Sequence, residues 1–482
     1  MTEVATLKDN KGVTEEQRAF IESDIRSNII LIACAGSGKS FSAIKRMQYL
    51  VEQGVDPSKI IFFSFTTAAT EELKSRIQND AIKISTIHSF CLSILSKVGK
   101  FKKVASFYDF IHWFKEQHKP KSSASSFDRS SYYSEIEKLY DDAEFLSSHI
   151  TSYKLQMAGD IKYSERMPDY VKDYQKFLKA TKSRDFSDML IEVRNLLKED
   201  KYLRRFRGIY DYILLDEFQD TSTIQFQILL SLNAKHYYLI GDRAQSLYGY
   251  SGANCYAIEE MLKKRRKTVE MTLSINFRSS KLIVENSNNY TNLKAIAYHQ
   301  YDGEVNKKII LFEDLVELLR EKEEIVVLVR TNAVIRELEK QLLKLRIPMK
   351  YFNYLTPAEI DDLIKGSERV ATKRKVSALM DEFVTPDALV SFIRDNNKEA
   401  DEPVKRFITT IHRFKGKEAH TAVIVNSLSP EILQHNELVL NKEQIEAVSF
   451  DPANELHQES QNVHYVAVSR AKQRIFYMIF GI

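Results

Sequence analysis

The sequence predicts an α/β protein built from two successive parallel sheets, each flanked by helices. Three observations carry that prediction. Short apolar runs, such as Ile29 to Ile32, Lys59 to Phe63 and Tyr212 to Leu215, recur along the chain, each followed by a polar loop or a helical pattern. The first run leads into Ala33-Cys34-Ala35-Gly36-Ser37-Gly38-Lys39-Ser40, a glycine-rich turn between a strand and a helix (Phe41, Ile44, Met47, Leu50). A second series of apolar runs, beyond Leu273, contains no such turn.

Composition narrows the class. A chain of 482 residues has room for several domains, and 44% hydrophobic with 28% charged residues is the balance of a globular protein. Net charge is only +4, so any polynucleotide contact has to come from a local groove rather than overall basicity. Three cysteines (Cys34, Cys91, Cys255) without CxxC spacing argue against a disulfide framework and a zinc site. No stretch approaches the length of a membrane span, and the polar N-terminus lacks a signal-like apolar region. A cytoplasmic protein without a membrane partner is expected.

Taken in order, Thr14 and Gln17 form the capping-box pattern of a short helix, and the Gln17 amide also suits an adenine edge. In the turn that follows, Gly36 and Gly38 let backbone N–H groups converge on an anion, Lys39 suits the β/γ-phosphates and Ser40 suits Mg²⁺. The usual first glycine is Ala33, so alone this turn supports nucleotide binding and no particular reaction. The next strands end in Ser64-Phe65-Thr66 and Ser85-Thr86-Ile87-His88; their hydroxyls suit either helix caps or contacts to a phosphate backbone. From Gly99 to Lys182 amphipathic helical patterns dominate, interrupted at Ser122 to Ser131, and read as a helical insertion.

The strand pattern resumes at Tyr212-Ile213-Leu214-Leu215-Asp216-Glu217. There Asp216 suits Mg²⁺ and Glu217 suits polarising an attacking water. After the strand His236 to Gly241, Gln245 sits where a γ-phosphate sensor belongs, and Tyr248 and Tyr250 are either core aromatics or base-stacking platforms. The run Lys263-Lys264-Arg265-Arg266-Lys267 reads as a solvated helix end. In the second domain, strands are expected at Ile309 to Phe312, Ile325 to Val329, Ala422 to Val425 and Ile475 to Ile479. Helices are expected over Ala333 to Leu345 and Val463 to Lys472. Arg278 and Arg470 are cations in a domain without a phosphate loop, and they suit contact with a triphosphate across an interface.

Several blocks taken together resemble the UvrD/Rep/PcrA family of superfamily 1 helicases. They are Asp185-Phe186-Ser187-Asp188, Leu215-Asp216-Glu217-Phe218-Gln219-Asp220-Thr221, Gly241-Asp242 with Gln245-Ser246, Asn276-Phe277-Arg278-Ser279, and Tyr465-Val466-Ala467-Val468-Ser469-Arg470-Ala471-Lys472. The resemblance implies two RecA-like P-loop domains. Motor domain 1 takes 1–98 and 183–273, around a helical insertion at 99–182; motor domain 2 takes 274–355 and 404–482, around a short insertion at 356–403. It implies ATP and Mg²⁺ in the cleft, with Gln17 reading adenine and Phe277 stacking on it. Ala35, Gly36, Ser37, Gly38, Lys39 and Ser40 then cradle the phosphates, and Ser40 and Asp216 hold the metal. Glu217 becomes the catalytic base, Gln245 the γ-phosphate contact, Arg278 and Arg470 the arginine fingers, and Glu418 a ribose contact. The single-stranded DNA track would use Phe65, Thr66, Thr86, His88, Tyr250, Thr410 and His412.

Departures from the pattern are Phe41 where Arg is common, Tyr250-Ser251-Gly252-Ala253 where an aromatic-Arg pair is usual, and Lys417 where Leu is typical. The 356–403 segment is short beside the insertion the resemblance implies, and a compact motor is expected. The implied activity is an ATP-dependent helicase moving 3′ to 5′ on single-stranded DNA and acting at single-strand/duplex junctions. The alternative is a DNA-stimulated ATPase translocase subunit acting with a partner, such as a nuclease or a replication or repair factor, in repair, recombination or anti-phage defence.

Overall fold

In the computed structural model, residues 12–481 are described except 121–124, 126–127, 129–130, 133–134, 137–138, 140–142, 156–168, 250–251, 266, 322, 352–375, 377–378, 381, 384, 398–405 and 429–457. The chain divides into two compact units, one of residues 1–33 and 38–273, the other of 34–37 and 274–482.

The first unit is built on strands β1 (Asn28–Ala33), β2 (Ile60–Phe63), β3 (Lys83–Ser85), β4 (Tyr212–Asp216), β5 (His236–Gly241) and β6 (Thr268–Leu273). They form one sheet in the order β3-β2-β4-β5-β1-β6, with every pairing parallel. β1, β2 and β4 are buried at every position, as expected of strands covered on both faces.

The helices of this unit are α1 (Glu15–Ile21), α2 (Lys39–Glu52), α3 (Thr67–Ile77), α4 (Ile87–Lys97), α5 (Phe107–Gln117), α6 (Ala143–Leu155), α7 (Asp169–Ala180), α8 (Phe186–Leu196), α9 (Asp200–Phe206), α10 (Thr223–Ser231) and α11 (Cys255–Lys263). Ala43, Met47 and Leu50 of α2 and Leu73 of α3 share a core with the sheet residues Ile29, Leu31, Phe62 and Leu214. Helices α5 to α7 gather around a separate aromatic core that includes Phe107, Phe110, Tyr153, Tyr174 and Phe177. Most of the serine-rich break at 122–131 lies outside the described residues.

The second unit opens with a two-residue pair, β7 (Ile275–Asn276) and β8 (Ile296–Ala297), around α12 (Lys281–Ser287). Its main sheet comprises β9 (Glu304–Ile310), β10 (Ile325–Val329), β11 (Arg406–Thr410), β12 (Ala419–Leu428) and β13 (Ala471–Gly481), in the parallel order β11-β10-β12-β13-β9. Its helices are α13 (Phe312–Arg320), α14 (Asn332–Lys344), α15 (Pro386–Asn397), the single turn α16 (Ile411–Phe414) and α17 (Gln458–Val468). Where residues 356–403 are described, Val376, Leu379, Phe383, Leu389 and Ile393 sit in the same core as Leu319, Leu338 and Val327.

Two expectations need correction. The strand expected over Ile309 to Phe312 begins earlier, at Glu304, and Phe312 opens α13 instead. The helix expected through Lys472 stops at Val468: Ser469-Arg470 turns the chain and β13 starts at Ala471. The turn is fixed by the Arg470 guanidinium, which donates to the Val466 carbonyl (2.9 Å) and the Lys417 carbonyl (3.2 Å).

Candidate nucleotide and nucleic-acid sites

Because every strand of the first sheet runs the same way, all their carboxyl ends open on one edge. That edge is where α/β sheets hold ligands. β1 delivers the glycine-rich turn there, β4 delivers Asp216-Glu217, and β5 delivers Gly241-Asp242. Only β5 separates β1 from β4, so the ends of those two strands stand about 10 Å apart with the end of β5 between them.

Within the turn, Gly36 (φ +70°) and Gly38 (φ +79°) hold left-handed conformations that a side chain disfavours. A methyl group at Gly38 would stand 3.0 Å from Gln17 Nε2. Gln17 is itself fixed by the predicted capping box: the Thr14 N–H donates to its Oε1 (3.0 Å), and its own N–H donates to Thr14 Oγ1 (3.2 Å). The amide therefore lies against the start of α2, where Lys39 and Ser40 are the first two residues. The Ser37 hydroxyl closes the turn onto the Cys34 carbonyl (2.8 Å). Phe41, in the first turn of α2, is exposed.

Asp216 is buried at the end of β4 and accepts a hydrogen bond from the Glu217 N–H (3.0 Å). Burial and the neighbouring Glu217 charge push its carboxyl up to about 7, against the pull of Lys39. A buried carboxylate held at that cost within electrostatic reach of Lys39 suits a divalent cation, and Ser40, the second residue of α2, offers a hydroxyl as a further ligand. Glu217 adopts a left-handed conformation (φ +51°), which a non-glycine side chain disfavours. Its carboxylate accepts a hydrogen bond from Gln219 Nε2.

Gln219 was not singled out from the sequence, yet it ties the two loops together. It is fully buried, and its Oε1 accepts the Asp242 N–H (3.1 Å) while its amide donates to Glu217. Gln245 Nε2 in turn donates to Asp242 Oδ2 (2.8 Å), and the Ser246 hydroxyl donates to the Gln219 carbonyl (3.1 Å). The only sequence signal for Gln219 was its place in the Asp-Glu-Phe-Gln-Asp block, where an amide between charged residues draws no notice.

At the carboxyl ends of β2 and β3, the hydroxyls of Thr66 and Thr86 cap α3 and α4 by accepting the N–H groups of Ala69 and Ser89, each at 3.1 Å. Thr66 is exposed and Thr86 is buried. Phe65 is 41% exposed and packs against Tyr248 with ring centroids 5.2 Å apart. His88 meets the edge of Phe186 at 5.0 Å, and Phe186 is itself 53% exposed. Burial holds the His88 imidazole below its ordinary pKa. Tyr250 lies outside the described residues.

The second unit assembles its own cluster, and residues Cys34–Ser37 pack within it. The Ala35 N–H donates to the Tyr465 hydroxyl (3.1 Å), and Asn276 Nδ2 donates to the Ala35 carbonyl (2.8 Å). A methyl group on Gly36 would come within 2.7 Å of Arg278 Cβ. The Arg278 guanidinium donates to Glu418 Oε2 (2.7 Å) and the Ser469 carbonyl (3.0 Å), while Lys472 holds Glu418 Oε1 at 2.7 Å. Burial raises the Glu418 carboxyl, but the Lys472 hydrogen bond and the Arg278 charge more than reverse it, leaving it below the usual carboxylate range. Arg470 is buried in the turn described above, and Phe277 packs on Tyr298 at 4.9 Å. Thr410 ends β11 and caps α16, accepting the Arg413 N–H (3.3 Å), with His412 in that same turn.

The family model for the UvrD/REP helicase N-terminal domain matches residues 13–266, which is more than half of the chain. The chain belongs to the UvrD/REP helicase family. Among UvrD/REP relatives, a protein named probable DNA helicase II homolog, from Mycoplasma capricolum, is 29% identical over 371 residues, covering 70% of this chain and 51% of the relative. The ATP-dependent DNA helicase Rep of Buchnera aphidicola is 25% identical over 431 residues, covering 80% of this chain and 60% of the relative. The ATP-dependent DNA helicase PcrA of Leuconostoc citreum is 26% identical over 376 residues, covering 70% and 49%. The chain thus spans about half the length of most of these UvrD/REP relatives. Among the described residues no helix is long and apolar enough to cross a membrane.

Proposed function

We propose that this chain is an ATP-dependent DNA helicase motor that hydrolyses ATP while moving along single-stranded DNA in the 3′ to 5′ direction. The observation that carries the reading is the single sheet edge on which Lys39, Asp216, Glu217 and Gln245 all open, with Gln219 holding the Glu217 and Asp242 loops in one register. In this reading the N–H groups at the start of α2 and Lys39 bind the phosphates, and Gln17 meets the adenine. Glu217 takes the proton of the attacking water. Ser40 and Asp216 would hold Mg²⁺, which when bound neutralises charge on the phosphates. Arg278 and Arg470 serve the transferred phosphate, Phe277 and Glu418 the base and ribose.

Phe65, Thr66, Thr86 and His88 belong to the polynucleotide track, and exposed Phe186 beside His88 extends it as a stacking ring. Tyr250, Thr410 and His412 join the track on the strength of the resemblance alone. The test is ATP hydrolysis with and without single-stranded DNA, together with strand separation on duplexes bearing a 3′ or a 5′ tail. The expected result is DNA-stimulated hydrolysis that is lost in Lys39→Ala and Glu217→Gln, and separation of the 3′-tailed duplex. Hydrolysis indifferent to every single-stranded DNA offered would refute the reading. DNA-stimulated hydrolysis without strand separation would favour a translocase that works with a partner.

A further inference from the structure

The run Lys97-Val98-Gly99-Lys100-Phe101-Lys102-Lys103 and the segment from Lys198 to Arg207, which holds α9, come together at the far end of α4. The Arg205 guanidinium donates to the Lys97 carbonyl (3.4 Å), and the ammonium groups of Lys100 and Lys201 lie 5.5 and 5.4 Å from the Tyr202 ring centroid. Nine cations gather here: Lys97, Lys100, Lys102, Lys103, Lys198, Lys201, Arg204, Arg205 and Arg207. All are exposed, against two acids, Glu199 and Asp200, in the same two segments. That excess is larger than the +4 of the whole chain, so the rest of the molecule is net acidic.

Charge that is merely decorative is commonly compensated, and the chain supplies the comparison. In the basic run at the end of α11, Lys263 pairs with Glu270 (3.2 Å) and Lys264 with Glu260 (2.6 Å). In the patch, Lys103 with Asp109 at 3.8 Å is the one pairing to a carboxylate among the described residues. Phe101, 64% exposed between lysines, adds an aromatic face.

The position is as informative as the charge. α4 carries Thr86 at its N-cap and His88 in its first turn, and ends at Lys97 in the patch. α8 packs along α4, with Phe186 against His88 at one end and its continuation into α9 against Lys97 at the other. Both helices therefore start at the track residues and finish at the cations, about 16 Å away for eleven residues of helix.

We propose that this patch is a second polynucleotide contact that binds the phosphodiester backbone as it leaves the track, whether as continuing single strand or as the duplex arm of a junction. The proposal rests on the track assignment above, and its test separates the two. Wild type and the variant Lys100→Gln/Lys102→Gln/Lys201→Gln/Arg204→Gln are titrated by fluorescence anisotropy, over a series of salt concentrations, with three probes. These are an eight-nucleotide single strand, a thirty-nucleotide single strand and a 3′-tailed duplex. Lys102→Gln/Arg204→Gln, which leaves the Tyr202 contacts untouched, guards against misfolding, and Lys263→Gln/Lys264→Gln is the control.

Removing one cation–phosphate pairing lowers the salt slope by about 0.9 on duplex and about 0.7 on a single strand. The expected result is a slope smaller by roughly 2 or more and affinity at least about tenfold weaker for the quadruple variant on a long probe. The double variant shows about half the slope change, and the eight-nucleotide strand and the control variant are unaffected. Weakening on the tailed duplex alone assigns the duplex arm; weakening on the long single strand as well assigns the continuing strand. Unchanged slopes on all three probes overturn the patch while leaving the track intact. Failure of wild type to bind any probe overturns the track itself.

Discussion

At the residue scale Gly241 is tightly constrained beside the Glu217 and Asp242 loops. A methyl group there would collide with the Gln219 amide oxygen and stand 2.8 Å from Phe218 Cδ1, and neither side chain can retreat because both are fully buried. Gly241→Ala should therefore push Gln219 off Glu217 and the Asp242 N–H together. We expect ATP turnover to fall on the order of 10²-fold at a stability cost of about 1–3 kcal/mol, read by steady-state kinetics and thermal melting; unchanged turnover would deny Gln219 its positioning role.

His88 gives a pH prediction. The unfolded chain takes up the imidazole proton near 6.5, and burial delays that uptake in the folded state. The stability His88 contributes is thus complete above 6.5 and lost as pH falls below it. Between pH 7.5 and 5.5 wild type should lose more of its urea midpoint than His88→Gln does, and equal losses would place the imidazole in solvent. Lys39, Asp216 and Glu217 could be nominated from the sequence because phosphate and metal chemistry demands particular side chains at particular spacings. Gln219 and Tyr465 were not, since their work is to hold other groups and any one sequence leaves that work unmarked.

At the element scale, a partly buried ion cluster ties the helical insertion to the start of α8. Lys154 near the end of α6 reaches Asp185 (2.8 Å) and Asp188 (2.9 Å) at the start of α8, where those two residues also form a capping box, and its ammonium lies 5.2 Å from the Tyr174 ring centroid on α7. Burial keeps the Asp185 carboxyl raised even with Lys154 beside it. Removing the cation strands that carboxylate, so Lys154→Met should cost about 3–5 kcal/mol in denaturant unfolding. Lys154→Met combined with Asp185→Leu should recover part of that loss. A single variant as stable as wild type would show that the pair does not bind the helices together.

The same scale explains which strands the sequence left hidden. β1, β2, β4 and β10 are unbroken apolar runs because the sheets bury them on both faces, and they were readable. β6, β9 and β11 are edge strands of mixed polarity, and none was placed correctly. β9 opens with Glu304 because that residue faces Arg474 of β13 and pairs with it at 3.0 Å, an interaction visible only once the strands are adjacent.

At the scale of the whole molecule, the residues proposed to bind and split ATP come from two units with separate sheets. Lys39, Asp216 and Glu217 belong to the first, Arg278 and Arg470 to the second. Arg470 is a poor probe of function, because its buried guanidinium also builds the turn before β13. Arg278 is the better one: its backbone is fixed separately by Asn276 Oδ1, which accepts the N–H groups of Arg278 (2.8 Å) and Ser279 (2.9 Å), so the side chain can change without unpinning the loop. A cation that acts on charge developing during phosphoryl transfer contributes to kcat and little to ground-state binding. Arg278→Lys keeps the charge but loses the planar fork that Glu418 and the Ser469 carbonyl now share. We expect Arg278→Ala to lower kcat by about 10³-fold or more with KM for ATP changed only slightly, and Arg278→Lys to fall between Ala and wild type. Single-turnover hydrolysis with saturating single-stranded DNA is the measurement. A rise in KM with kcat preserved would make Arg278 a binding residue, and hydrolysis unaffected by either change would remove Arg278 from the ATP chemistry.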